Sequence, residues 1–69
     1  MIGQIYSWSL LGWGFVTTNG KDLYFLHTNE IKSGLDKVTI KQWVEFDPAP
    51  ALLGKKHPRA TNAVVGGAA

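Results

Sequence analysis

Two ring-bearing segments, Gly12-Trp13-Gly14-Phe15-Val16 and Tyr24-Phe25-Leu26-His27, flank an Asn19-Gly20 turn signal. That arrangement leaves few folds open. A strand sends successive side chains to opposite faces, so each segment can fill a core on one side and present rings on the other. Asn-Gly between two such runs is the signal of a tight antiparallel hairpin. The loop length then decides which side chains face water. A two-residue loop, Asn19-Gly20, pairs Phe15 with Tyr24 and Trp13 with Leu26, and puts Phe25 and His27 on the face of Gly14 and Val16. A three-residue loop, Asn19-Gly20-Lys21, pairs Phe15 with Phe25 and Trp13 with His27. Gly14, Val16, Tyr24 and Leu26 then share the other face. The second register keeps the ionisable His27 wet and an aliphatic set inside, and it is preferred because burying a histidine without a partner is costly.

The rest of the chain reads as more of the same architecture. Residues 2–8 form a first strand with Ile2, Ile5, Tyr6 and Trp8. A turn over 9–12 leads into the hairpin strands, 13–18 and 22–27. Residues 28–32 suit one helical turn capped by Asn29, and 33–37 read as loop. Residues 38–47 alternate through Val38, Ile40, Val44 and Phe46, with a phase slip near Gln42-Trp43 that predicts a bulge or bend. Pro48-Ala49-Pro50 is expected to end that strand, because proline cannot donate to a ladder. Residues 48–58 then form a long loop, and 59–65 a last short strand. Five short strands in one domain of residues 1–65, with a flexible tail at 66–69, predict an all-β, five-stranded antiparallel barrel that hides its own sheet edges.

Composition narrows the chemistry more than it names it. A chain of 69 residues removes only about 60% of its unfolded surface from water, so its stability margin is thin. There is no cysteine, which excludes disulfides and thiolate metal sites; a reducing, cytoplasmic setting is the default. His27 and His57 lack ligand spacing, so no metal or other cofactor is expected. The N-terminal residues lack a basic segment followed by an apolar run, so no signal peptide is expected. No apolar stretch approaches the roughly 20 residues that span a bilayer. The net charge of +2 permits a polyanionic partner without requiring one.

Enzymatic chemistry finds no foothold. Asp22, Glu30, Asp36, Glu45 and Asp47 show no paired spacing, and there is no Ser-His-Asp or Cys-His arrangement and no P-loop. The rings are the better lead. If residues 2–8 pair antiparallel with 13–18, Tyr6 and Trp8 join Trp13, Phe15, Phe25 and His27 on one face. Bases stack on such rings at roughly 1–3 kcal/mol each, whatever the sequence. The bland alternative is that the rings are core, since aromatics are strand formers first. Two features argue against it. Ile5, Val16, Tyr24, Leu26, Val44, Phe46 and Val64 already supply an interior, and His27 falls on the ring-bearing side.

These residues carry a resemblance. Gly12-Trp13-Gly14-Phe15-Val16 resembles the first ribonucleoprotein motif of cold-shock domains, usually Gly-Phe-Gly-Phe-Ile. Tyr24-Phe25-Leu26-His27 is similar to their second, Val-Phe-Val-His. Gly3-Gln4-Ile5 with a following Trp8, then Val44-Glu45-Phe46, then Pro58-Arg59-Ala60-Thr61-Asn62 match the family in order, over residues 2–65. The resemblance implies an oligonucleotide-binding barrel that holds single-stranded RNA or DNA and keeps RNA unpaired, an RNA chaperone. It carries over Trp13, Phe15, Phe25 and His27 as contact residues. Trp8 joins them at one of two adjacent aromatic positions, because the Gly3-to-Gly12 spacing is one residue shorter than the family's. Leu11 replaces a usual lysine, Thr28 stands where a phenylalanine is common, and residues 28–42 hold no aromatic. Binding weaker and shorter than the family norm is therefore expected.

Lys55-Lys56, with His57 and Arg59, is the one basic cluster, read either as a phosphate rail, with Lys21 adding a further cation, or as an ordinary solvated loop. Trp43 either covers the barrel's open end or serves as a partner surface, such as a self-association contact. A rival function of another class is a small β-barrel interaction module whose rings hold a peptide or dock into a larger assembly. Against a proline-rich peptide, no acidic cluster stands beside the rings to receive basic flanks.

Overall fold

The computed structural model describes residues 1–66. Its strands are β1 (Ile2–Ser9), β2 (Trp13–Thr17), β3 (Leu23–His27), β4 (Ile31–Ser33), β5 (Trp43–Ala49) and β6 (Arg59–Val65). They lie in the order β3-β2-β1-β5-β6-β4, and a further β3–β6 pairing joins the ends. β1, β2, β3, β6 and β5 thus close a five-stranded barrel, to which the short β4 is added alongside β6. The chain is all-β and OB-like. Closure runs through one parallel pair, Phe25 with Arg59, with the Phe25 N–H donating to the Pro58 carbonyl at 2.8 Å.

The hairpin adopts the three-residue register: Trp13 opposes His27, Phe15 opposes Phe25 and Thr17 opposes Leu23. Asn19 organises its loop. Its Oδ1 accepts from the N–H groups of Lys21 (2.8 Å) and Asp22 (2.9 Å), its Nδ2 donates to Asp22 Oδ2 (3.1 Å), and Gly20 N–H donates to Thr17 Oγ1 (2.8 Å). Gly20 takes φ 80°, a left-handed conformation open to glycine at little steric cost. The core is Ile5, Val16, Leu26, Val44, Phe46, Ala60, Ala63 and Val65. Tyr24 is half-buried with its ring 5.2 Å from that of Phe46.

Several expectations need correction, each for a local physical reason. The first strand does not carry Tyr6 and Trp8 onto the ring face. A bulge between Ile5 and Ser7 leaves Tyr6 unpaired and shifts the alternation, so Ser7 and Ser9 oppose Phe15 and Trp13 while Trp8 opposes Gly14. Residues 38–42 are not strand: Gln42 N–H bonds the Thr39 carbonyl in a turn, with Lys41 at φ 71°. That turn is the phase slip, and it docks on β1 through Lys41 N–H to Ile5 O (2.8 Å) and Ile5 N–H to Gln42 O (2.9 Å). Conversely, β5 runs on through Pro48 to Ala49, with Pro48 opposite Ala60. On its other side β5 pairs with the start of the chain only as far as Phe46, which exchanges backbone hydrogen bonds with Met1, so at Pro48 it has β6 alone and a missing N–H costs nothing on the open side.

In β6 the core residue is Val65, not Val64. Asn62 takes φ 50° where the β5–β6 register shifts, so the inward sequence is Ala60, Ala63, Val65. Residues 28–37, expected as a helical turn followed by loop, hold two short 3-10 helices, Thr28–Glu30 and Leu35–Lys37, around β4. The first is capped by His27, not Asn29: His27 Nδ1 accepts the Asn29 N–H at 3.1 Å. Of the expected tail, Gly66 is tied to Trp43 by its N–H at 2.8 Å, and residues 67–69 lie outside the described residues.

Gly14 is a position that the fold cannot spare. A Cβ there would overlap the Ser7 carbonyl oxygen and stand 2.7 Å from Trp8 Cε3. Gly14→Ala is expected to destabilise the domain by about 1–3 kcal/mol, the range of overpacked sites, read as a lower midpoint in urea. Gly20→Ala meets no atom within 4 Å and strains only its φ, so its midpoint should fall by less.

Candidate nucleic-acid interface

The outward face of β2 and β3 gathers the rings. Trp13 is exposed, and Phe15, Phe25 and His27 are half-buried. The Phe15 and Phe25 ring centroids lie 5.9 Å apart, with Trp13 6.3 Å from Phe15 and 6.1 Å from Phe25. His27 continues the set 6.5 Å from Phe25. These separations fall within the range of favourable aromatic pairing, so each ring helps hold its neighbours in place. The His27 cap adds a constraint. With Nδ1 accepting, the neutral imidazole carries its proton on Nε2, which remains a hydrogen-bond donor.

His57 is a further ring at this face, 5.3 Å from Phe15 in an edge-on arrangement. It arrives on the segment joining β5 to β6, which is held at both ends. Arg59 Nε donates to the Pro50 carbonyl at 3.1 Å, and the Pro58 carbonyl accepts from Phe25. Between them Leu52 O accepts from Lys55 N–H at 2.8 Å, with Gly54 at φ 81°. The loop so formed covers part of the face and leaves two clefts. One, of about 210 Å³, is walled by Phe15, Phe25 and Leu52 and by the basic side chains of Lys55, Lys56, His57 and Arg59. The other, of about 230 Å³, lies beside it between Leu52, Arg59, Phe25 and His27, with Glu30 at its edge.

The structure therefore brings Trp13, Phe15, Phe25, His27, Lys55, Lys56 and Arg59 to one region. Three of the expected site residues stand apart from it. Trp8 packs against the core beside Gly14, Tyr6 is exposed at the β1 bulge, and Lys21 sits on the hairpin loop and lines neither cleft. Trp43 is exposed on β5 opposite Gln4. Sequence reasoning missed Leu52 altogether and saw His57 only as part of a basic cluster. Neither has a local signal, because an irregular loop has no period from which to read facing. Among the described residues no group of three or more His, Cys, Asp or Glu side chains could hold a metal ion.

No protein-family model matches this chain, and no curated protein matches it. The geometry itself then separates structural from surface rings. Trp8→Ala is expected to cost about 2–3 kcal/mol of stability, short of the about 3–5 kcal/mol for a fully buried ring, while Phe15→Ala costs less. Urea unfolding of the two variants measures this, and equal losses would place Phe15 in the core.

Proposed function

We propose that this protein is a non-catalytic binder of single-stranded nucleic acid, RNA or DNA, of the cold-shock type. One observation carries the reading. Trp13, Phe15, Phe25 and His27 form a contiguous outward ring set, while the core is complete without them. Rings turned to water forgo burial unless a flat ligand covers them, and bases have the right shape and chemistry. The OB-like barrel supports the same reading, since its second and third strands are the usual platform for oligonucleotides. Lys55, Lys56 and Arg59 supply cations beside the rings. Holding the single strand favours unpaired over paired RNA by mass action, which is the work of an RNA chaperone.

With Ser7 rather than an aromatic opposite Phe15, the platform is narrower than six rings in a row. A short footprint follows, engaging two or three bases.

Titration of a short oligothymidine at low salt should quench tryptophan fluorescence. The quench should persist in Trp43→Phe and vanish in Trp13→Phe. Phe15→Ala and Phe25→Ala should each weaken binding by about 1–3 kcal/mol. Absence of quenching by the folded wild type overturns the reading. Log affinity should fall with log salt at about −0.7 per phosphate contacted, and a flat response would remove the basic loop from the interface.

A further inference from the structure

The cations of this face are unevenly placed. Lys55, Lys56 and Arg59 line a single cleft with His57, and residues 48–66 contain no Asp or Glu. Lys21, Lys32, Lys37 and Lys41 stand on other elements and line neither cleft. At the Trp13 end, the turn before β2 presents Leu10 and Leu11, both exposed. The ring set is thus basic at one end and apolar at the other. A cationic track serving a continuous phosphodiester chain would spread its charges along the rings, one for each phosphate.

The basic cleft also has apolar walls. Phe15, Phe25 and Leu52 supply them, and its volume of about 210 Å³ is below the about 300–1,000 Å³ typical of sites for drug-sized ligands. Arg59 is held there by its Nε bond to the Pro50 carbonyl, which leaves the two terminal nitrogens of the guanidinium for a ligand. Three permanent positive charges in one such cleft exceed what a single internal phosphodiester, with one negative charge, can match. A terminal phosphomonoester carries about −1.5 to −2 at pH 7 and offers three acceptor oxygens. It is the better complement.

We propose that this cleft is an end-recognition site: it seats the terminal nucleotide of a strand, stacking its base on Phe15 or Phe25 beside Leu52 and holding its terminal phosphate on Lys55, Lys56 and Arg59. The proposal rests on the single-strand reading above and adds polarity to it. A strand enters with its phosphorylated end at the basic cleft and runs toward Trp13 and the apolar Leu10-Leu11 turn.

Three thymidine hexamers decide the matter: one with a 5′-phosphate, one with a 3′-phosphate, and one with hydroxyls at both ends, each titrated against wild type and Lys55→Ala/Lys56→Ala. The expected result is a gain of about fivefold or more at one end only, lost in the double variant, as charge-assisted phosphate contacts should give. Equal affinity for all three hexamers overturns end recognition and leaves single-strand binding intact. An equal gain at both ends reflects general charge attraction and also overturns it, as does a gain that survives in the variant. No binding of any hexamer overturns both this site and the function on which it rests.

Discussion

The side chain of Asn19 is the constraint on which the rest of this structure depends. By accepting two backbone N–H groups and donating to Asp22, it holds residues 18–22 in the register that pairs Thr17 with Leu23. One residue more or less in that loop would turn every side chain of β3 to the opposite face relative to β2. In the observed register Val16 and Leu26 enter the core while Trp13, Phe15, Phe25 and His27 gather outside. Every later feature of the face inherits that choice. Phe25 also supplies the N–H that bonds the Pro58 carbonyl, so the hairpin register and barrel closure share a residue.

The barrel achieves a dry interior with modest side chains. Beyond Phe46 the buried set is aliphatic, and β6 contributes Ala60 and Ala63 where strands crowd. That economy is what frees the outward rings from a packing role. The β1 bulge has a packing consequence of its own. Gly14 has no side chain, and Trp8 packs over the space it leaves, against the core. The same tryptophan cannot serve the outer face as well, so the interface loses a ring that the fold gains.

Much of this was legible in the residues. The hairpin, its register, the four central rings and most of the core follow from alternation and from one turn signal, because a strand's period of two ties facing to position. The phase slip near Gln42-Trp43 was legible as an irregularity, although its form, a turn with Lys41 in a left-handed conformation, was not. The errors occur where one residue is added or a partner is missing. The bulge at Tyr6 and the left-handed Asn62 each shifted the alternation, moving Trp8 inward and exchanging Val64 for Val65. Pro48 stayed in strand because its ladder has one side only.

The sequence by itself determined the all-β architecture, the hairpin register and the rings it turns to water, since each rests on contacts between residues close along the chain. Only the tertiary structure decided what surrounds those rings. Folding brought the segment between Pro50 and Arg59 against Phe15 and Phe25, which walled a cleft with Leu52, added His57 and concentrated Lys55, Lys56 and Arg59 at one end. That placement comes from closing β6 onto β3 across more than thirty residues of chain. No local period encodes such a contact, because an irregular loop takes its path from the ends that hold it.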